Sequence, residues 1–298
     1  MARMKVIPLR YGTIFKKAFR DPEVFSGFAR DVLGIPVDIA VVHQEFSYPT
    51  AVGQVKVAYD LFGEDTARRV IVELQHIREP DFFDRFLHYH LVSIVEQAQS
   101  HQQYRIERDV FTLVVLTTAP RDRELQFSVA VSDMDPISER GAKVGVYRHR
   151  LVFLNPKLID AQTPAGARSW LELIADSLDG EVDASRYHDP LQQRVLHAAE
   201  QSGVTPEELA RIKDEAAWEE SRRQDVDAAT QAGVAAGIAA GALQNGRAVL
   251  LRLLTRRGIT LTDTQRARVE ACEDGATLDA WIDRAVDATD IEHVLREA

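Results

Sequence analysis

Apolar positions recur at helical spacing near the start of the chain, where Ile14, Phe15, Ala18, Phe19, Phe25, Phe28 and Leu33 predict a helix over residues 13–33. Pro22 breaks it after Arg20, and Gly34-Ile35-Pro36 ends it. Three strand-like runs follow at 39–46, 54–62 and 69–75, with Gly63-Glu64-Asp65-Thr66 as a hairpin connection between the last two. A second helix is predicted over 81–102, with Phe83, Leu87, Leu91, Ile94 and Ala98 as its buried stripe. The run VFTLVVL at 110–116 is apolar at nearly every position, as expected of a strand covered on both faces. Helix, strands, helix and buried strand in this order predict an α/β core with a mixed sheet flanked by helices. Further strands are expected at 125–131 and 147–154. Thr163-Pro164 then opens a helix carrying Trp170, Leu173, Ile174 and Leu178, with the proline at its first position.

Beyond residue 200 the pattern changes. Thr205-Pro206-Glu207-Glu208 reads as a capping box before a long, charged, alanine-rich helix. Gly233, Gly237 and Gly241 recur every fourth residue. They form either a smooth helix stripe that another backbone approaches closely or a flexible linker, since each interior glycine disfavours helix by about 1 kcal/mol. The segment 246–298 holds two or three short helices around Leu250, Leu254, Val269, Leu278, Trp281 and Leu295. The expected division is a core domain over 1–200, the helix or linker over 205–245, and a small α-helical domain over 246–298.

Composition narrows the classes. The chain has 298 residues, 36 Lys+Arg against 46 Asp+Glu and a single cysteine, Cys272, which excludes an intrachain disulfide and a cysteine-based metal cluster. No apolar h-region opens the chain, and no charge-free run reaches the ~20 residues of a membrane helix. The expectation is a cytoplasmic protein without membrane contact. Charge is uneven: residues 1–20 carry six basic and no acidic side chains, whereas 271–298 carry eight acidic and two basic ones. Lys16, Lys17 and Arg20 are thus candidate DNA-backbone contacts on an acidic protein. Walker, nucleophile-elbow, H-E-x-x-H and dinucleotide motifs are absent, so a nucleotide cofactor, serine-hydrolase chemistry and metalloprotease chemistry are unsupported.

Chemistry concentrates in VKVAYDLFGEDTARRVIVELQ. Strand alternation groups Val57, Tyr59 and Leu61 on one face and puts Asp60 on the other; Val70, Val72 and Leu74 oppose Ile71, Glu73 and Gln75. Paired through the hairpin, Asp60 and Glu73 can meet on one side of the sheet. Two carboxylates and a neighbouring carbonyl oxygen suit Mg2+, with Mn2+ as a substitute. Such an ion lowers the pKa of a bound water and neutralises charge on a phosphodiester. Gln75 would line the same cleft. Arg85 and Tyr89, four apart on the following helix, could reach it, Arg85 by contacting a phosphate or anchoring Glu73. His88 and His90 point in different directions on that helix and, with His76, are expected at the surface or partly packed.

The ordered set FKKAF, FARDVLG, YDLF, VELQ and RFLHYH resembles the PD-(D/E)XK nuclease superfamily. More narrowly, it resembles the recombination-promoting nuclease/transposase branch of that superfamily, in which E-x-Q replaces E-x-K. Asp60, Val72-Glu73-Leu74-Gln75, Arg85 with Tyr89, Gln97 and Tyr104 fall where that branch has its motif residues. LVFLNPKLID, SWLELIADSLDGEV, RIKDEAAWEE, the glycine-every-fourth helix and the small C-terminal domain extend the likeness over nearly the whole chain. Tyr11 and Gly12 depart from it, since the branch often has an aspartate there.

The resemblance implies a restriction-endonuclease-like core and a Mg2+-dependent DNA endonuclease linked to recombination or mobile DNA. Asp60 and Glu73 would hold metal, Gln75 would complete the catalytic face, and Arg85 and Tyr89 would support it. The long helix would make a homo-oligomer through Gly233, Gly237 and Gly241. Gln75 in place of a lysine, together with the acidic net charge, leaves a second reading: a non-catalytic DNA-binding or protein-interaction factor on a nuclease scaffold.

Overall fold

Two central strands of 8 residues each set the plan of the sheet: β4 (Arg68–Gln75) and β5 (Asp109–Leu116) lie parallel at its centre, paired from Arg68↔Asp109 to Gln75↔Leu116. The computed structural model describes residues 3–48, 57–76, 82–98, 105–118 and 126–296. Around the central pair, β2 (Val42–Phe46), β3 (Tyr59–Glu64), β6 (Val129–Asp133) and β7 (Arg150–Leu154) complete a mixed six-stranded sheet in the order β2-β3-β4-β5-β7-β6. The β5–β7 pairing is parallel, and the β2–β3, β3–β4 and β6–β7 pairings are antiparallel. A separate ribbon joins β1 (Met4–Lys5) to β8 (Glu181–Val182).

Helices cover both faces, which the near-continuous apolar run of β5 requires. On one side α1 (Gly12–Phe19), α2 (Pro22–Leu33), α4 (Ala165–Ser177) and α5 (Pro190–Ala199) share a core with Leu61, Val70, Val72, Phe111, Leu113 and Val152. On the other, α3 (Phe82–Val95) lies over Ile71, Val110, Val114 and Phe153.

Several expectations shift. The break expected after Arg20 is present, and Pro22 starts a second helix, which Asp21 caps by accepting from the Glu23 and Val24 N–H groups. Gly63 and Glu64 belong to β3, and the turn is centred on Thr66-Ala67, where Asp65 Oδ1 accepts from Ala67 and Arg68 N–H at 2.7 Å each. Tyr59 does not share a face with Leu61; it packs with Phe62 and Ile71 on the α3 side. The stripe foreseen for α3 is rotated, since Leu87 and Leu91 are exposed while Phe82, Phe86, His90 and Ile94 face inward. Pro164 is the cap residue of α4 and not its first helical residue, and Thr163 is turned inward to bond Ser128. Residues 54–56, 81, 99–102 and 125 of the predicted elements, and Tyr104, lie outside the described residues.

The capping box at Thr205/Glu208 is present, with Thr205 N–H to Glu208 Oε2 at 2.9 Å and Glu208 N–H to Thr205 Oγ1 at 3.2 Å. It opens α6 (Pro206–Arg256), a helix of 51 residues that includes Gly233, Gly237 and Gly241. By length and composition alone, an 18-residue stretch of α6 is apolar enough to cross a membrane, at mean hydropathy 1.2. By its contacts the chain divides into two units, Met1–Glu220 and Ser221–Ala298. In the second, α7 (Asp263–Glu270), α8 (Gly275–Asp287) and α9 (Ile291–Val294) enclose a core of Leu250, Leu254, Val269, Leu278, Trp281 and Val294.

His90 is completely buried, with Nδ1 2.9 Å from Thr112 Oγ1 on β5. Burial, then the neighbouring His149, drives its pKa down to about 3. The unfolded chain therefore takes up this proton near pH 6.5, whereas the folded chain resists it to about pH 3. Stability from this group is full above pH 6.5 and is lost as pH falls, by up to about 1.4 kcal/mol per pH unit. Urea unfolding at pH 7 and pH 5 should show it. The loss between the two should be smaller in His90→Gln; an equal loss in both proteins would show that His90 titrates freely.

Candidate functional site

The β3–β4 ladder ends at Leu61↔Val72, and the next two residues replace backbone pairing with carboxylates. Asp60 N–H donates to Glu73 Oε1 at 3.1 Å, and Leu74 N–H donates to Asp60 Oδ2 at 3.0 Å. The later turn is what sets Asp60 opposite Glu73, and it moves the register by an even number of positions. Asp60 and Glu73 thus meet as expected, crossed over one another at the start of β3 and the end of β4.

Their environments differ. Glu73 is 3% exposed, whereas the Asp60 side chain retains 30% exposure. Burial, then the charge of Asp60, pushes the Glu73 carboxyl well above the usual range; the Asp60 N–H, Arg85 and Lys16 pull the other way. Burial also raises the Asp60 pKa, against the Leu74 N–H, Lys16 and Arg85. Two carboxylates close together in a low-dielectric site resist ionising together unless a cation joins them.

Gln75 and Arg85 are brought together: the Arg85 guanidinium donates to Gln75 Oε1 and stacks over the rings of Phe86 and Tyr89, at 4.6 and 5.9 Å from their centroids. Arg85 acts on Glu73 through charge. Tyr89 packs edge-on against Tyr59, whose hydroxyl donates to the Tyr89 carbonyl at 3.0 Å. Gln97 lies away from the site and ties α3 to the approach to β5, exchanging side-chain bonds with the Arg108 backbone at 2.8 and 3.0 Å. His90, expected at the surface or partly packed, is fully buried in the core. His76 bridges Thr117 Oγ1 at 2.7 Å and Glu219 Oε2 at 3.6 Å, and burial lowers its pKa to about 4.

The basic cluster of α1 is largely engaged. Lys16 Nζ binds Glu45 Oε1 at 2.9 Å and lies 3.9 Å from Asp60 Oδ1, and Lys17 Nζ binds Glu208 Oε2 at 2.9 Å. Arg20 is exposed.

Glu45 was not foreseen. It lies on β2 between the pairs Gln44↔Leu61 and Phe46↔Tyr59, and at φ 52° it is the non-glycine residue with left-handed backbone among the described residues. A side chain held in that region costs roughly 1–3 kcal/mol and often marks a working site. Its alternation within VHQEF carries no hint of this. Nor does any local pattern reveal Glu215 and Glu219 of α6, which reach the same side of unit one through tertiary packing.

Among the described residues no group of three His, Cys, Asp or Glu side chains is arranged as a metal cage. The donors at the pair are oxygens only. That set fits Mg2+, which keeps several waters and takes one or two carboxylates, and does not fit the three or four N/S ligands of zinc. No protein-family model, curated protein or solved structure matches the chain.

Proposed function

We propose that the chain is a Mg2+-dependent DNA endonuclease on a restriction-endonuclease-like core, with the role in recombination or mobile DNA that its sequence resemblance implies. The observation that carries this reading is the crossed Asp60–Glu73 pair at the strand ends, one acid buried and one partly exposed. The mixed sheet with parallel β4 and β5 at its centre is consistent with that architecture.

Asp60 and Glu73 would hold the ion, which supplies Lewis acidity at a phosphoryl oxygen and a water of lowered pKa. The chain's own part is positional. The Asp60 and Leu74 N–H groups fix the two carboxylates, so the site is organised before substrate arrives. Arg85 holds Gln75 by its side-chain oxygen, which fixes the Gln75 side chain beside the carboxylate pair. Lys16 and Arg85 provide fixed positive charge where negative charge would develop on the phosphate.

A non-catalytic DNA-binding factor is favoured by one observation: Lys16 and Arg85 already counter the charge of the pair from within the chain. Supercoiled-plasmid nicking separates the two. With Mg2+ or Mn2+ the wild type should nick and EDTA should stop it, and Asp60→Asn should nick about 100-fold more slowly or less. Equal nicking by Asp60→Asn would move the site elsewhere. DNA binding without nicking under any metal would favour the binding factor.

A further inference from the structure

One face of α6 is a row of acids. Glu208, Glu215 and Glu219 fall at helical positions i, i+7 and i+11, and Ile212, 6% exposed, anchors the same face in the core of unit one. Each acid engages a group on or beside α1. Glu208 holds Lys17 at 2.9 Å. Glu215 Oε1 accepts from the Thr13 N–H at 3.0 Å and from Thr13 Oγ1 at 2.5 Å, at the start of α1, where backbone donors are free for an anion. Glu219 Oε2 lies 3.7 Å from Arg10 Nε and 3.6 Å from His76 Nε2.

The groups so occupied are those a polyanion would use: two cations, a helix N-terminus and a hydroxyl. They border the carboxylate pair, since His76 follows Gln75 and Lys16, the residue before Lys17, lies 3.9 Å from Asp60. An acidic chain that bound a phosphate backbone here would have to release its own carboxylates first. The ion pairs are partly exposed, with side chains 15–34% accessible, and pairs of that kind are individually weak. They suit a contact that can be exchanged.

We propose that Glu208, Glu215 and Glu219 form an intramolecular mimic of a nucleic-acid backbone, masking a duplex-DNA-binding face built from Arg10, Thr13 and Lys17. The proposal rests on the nuclease reading for its choice of DNA as the partner. In the free protein the α6 carboxylates hold the face closed; duplex DNA competes with them for the same donors.

The test is anisotropy of a fluorescein-labelled 20-base-pair duplex, titrated in Ca2+ to prevent cutting, across a range of salt. The full-length triple variant Glu208→Gln/Glu215→Gln/Glu219→Gln is compared with a control of equal charge change, Glu207→Gln/Asp214→Asn/Asp225→Asn, on exposed positions of the same helix. Thermal melting establishes that each is folded, and single Glu219→Gln serves where the triple variant is not. The masked face predicts at least a tenfold gain for the triple variant and under threefold for the control. The slope of log affinity against log salt should steepen by about two, for the release of Lys17 and Arg10 to phosphates. Adding Lys17→Gln should take back part of the gain.

Equal gains in both triple variants, or no duplex binding by any of the proteins, would overturn the mask. The nuclease reading fails separately. A specific gain in duplex affinity with no Mg2+-dependent nicking would leave the mask in place and remove the nuclease.

Discussion

Glu73→Gln is expected to stabilise the protein at pH 7.5 while removing metal-dependent nicking, by about 100-fold or more if the carboxylate is a ligand. Glu73 is 3% exposed, and its carboxyl pKa lies well above the ordinary range because of burial and then the charge of Asp60. A carboxyl whose pKa is raised by folding costs stability once the pH exceeds its unfolded value of about 4.3. Below that value both states are protonated, and acid and amide behave alike. The gain should therefore be full at pH 7.5, on the order of 1–3 kcal/mol for a buried charge with few partners, and should vanish near pH 4. The glutamine keeps an oxygen to accept from Asp60 N–H, so the strand ends remain tied. Urea midpoints at pH 7.5 and pH 4 and nicking with Mg2+ check the two halves together. A less stable variant at pH 7.5 would mean that Glu73 is a structural acceptor and not a strained functional acid. Unchanged nicking would remove it from the site.

The carboxylate pair was legible in the sequence because a strand's period of two survives an error in the turn. The connection proposed around Gly63 to Thr66 is displaced toward Ala67, yet the displacement changes register by an even number and leaves Asp60 and Glu73 on meeting positions. The central strand was legible for a related reason, since a run as apolar as 110–116 can only lie between two covered faces. The face of α3 was not legible. Leu87 and Leu91 follow the helical period as well as Phe82 and Phe86 do, and the choice is made by what β5 and β7 offer: Phe153 of β7 and Val114 of β5 receive the rings, and Thr112 of β5 receives His90. Periodicity cannot see that a histidine has a hydrogen-bond partner on a strand 22 residues away. Glu45, Glu215 and Glu219 escape for the same reason, as each gains its meaning from an element remote in sequence: Lys16, Thr13 and Arg10.

Trp170→Ala is expected to be the most destabilising single change in the first unit, at about 3–5 kcal/mol. The side chain is 1% exposed and fills the junction of three helices: Phe28 of α2 meets it edge-on at 5.5 Å, and Phe19 of α1 lies 6.0 Å away. Its Nε1–H donates to Asp31 Oδ2 at 2.9 Å. One turn earlier, Gly166 brings α4 so close to α2 that a Cβ there would stand 2.2 Å from the Asp31 carbonyl oxygen. Backbones already in contact cannot close further to fill the space a removed indole leaves, so the cavity term should persist in full. Trp170→Phe retains most of the apolar volume and loses the bond to Asp31. The Asp31 side chain keeps 31% exposure and Arg30 at 3.3 Å, so that variant should lose only about 1–2 kcal/mol. For a unit of this size 1 kcal/mol corresponds to roughly 2–4 °C in Tm, so the two variants should separate clearly by thermal melting or urea unfolding followed by far-UV circular dichroism. Equal losses for Ala and Phe would assign the stability to the Asp31 hydrogen bond and not to packing. A loss below 1 kcal/mol for Ala would show that α1 and α2 can collapse onto α4, which the approach at Gly166 forbids.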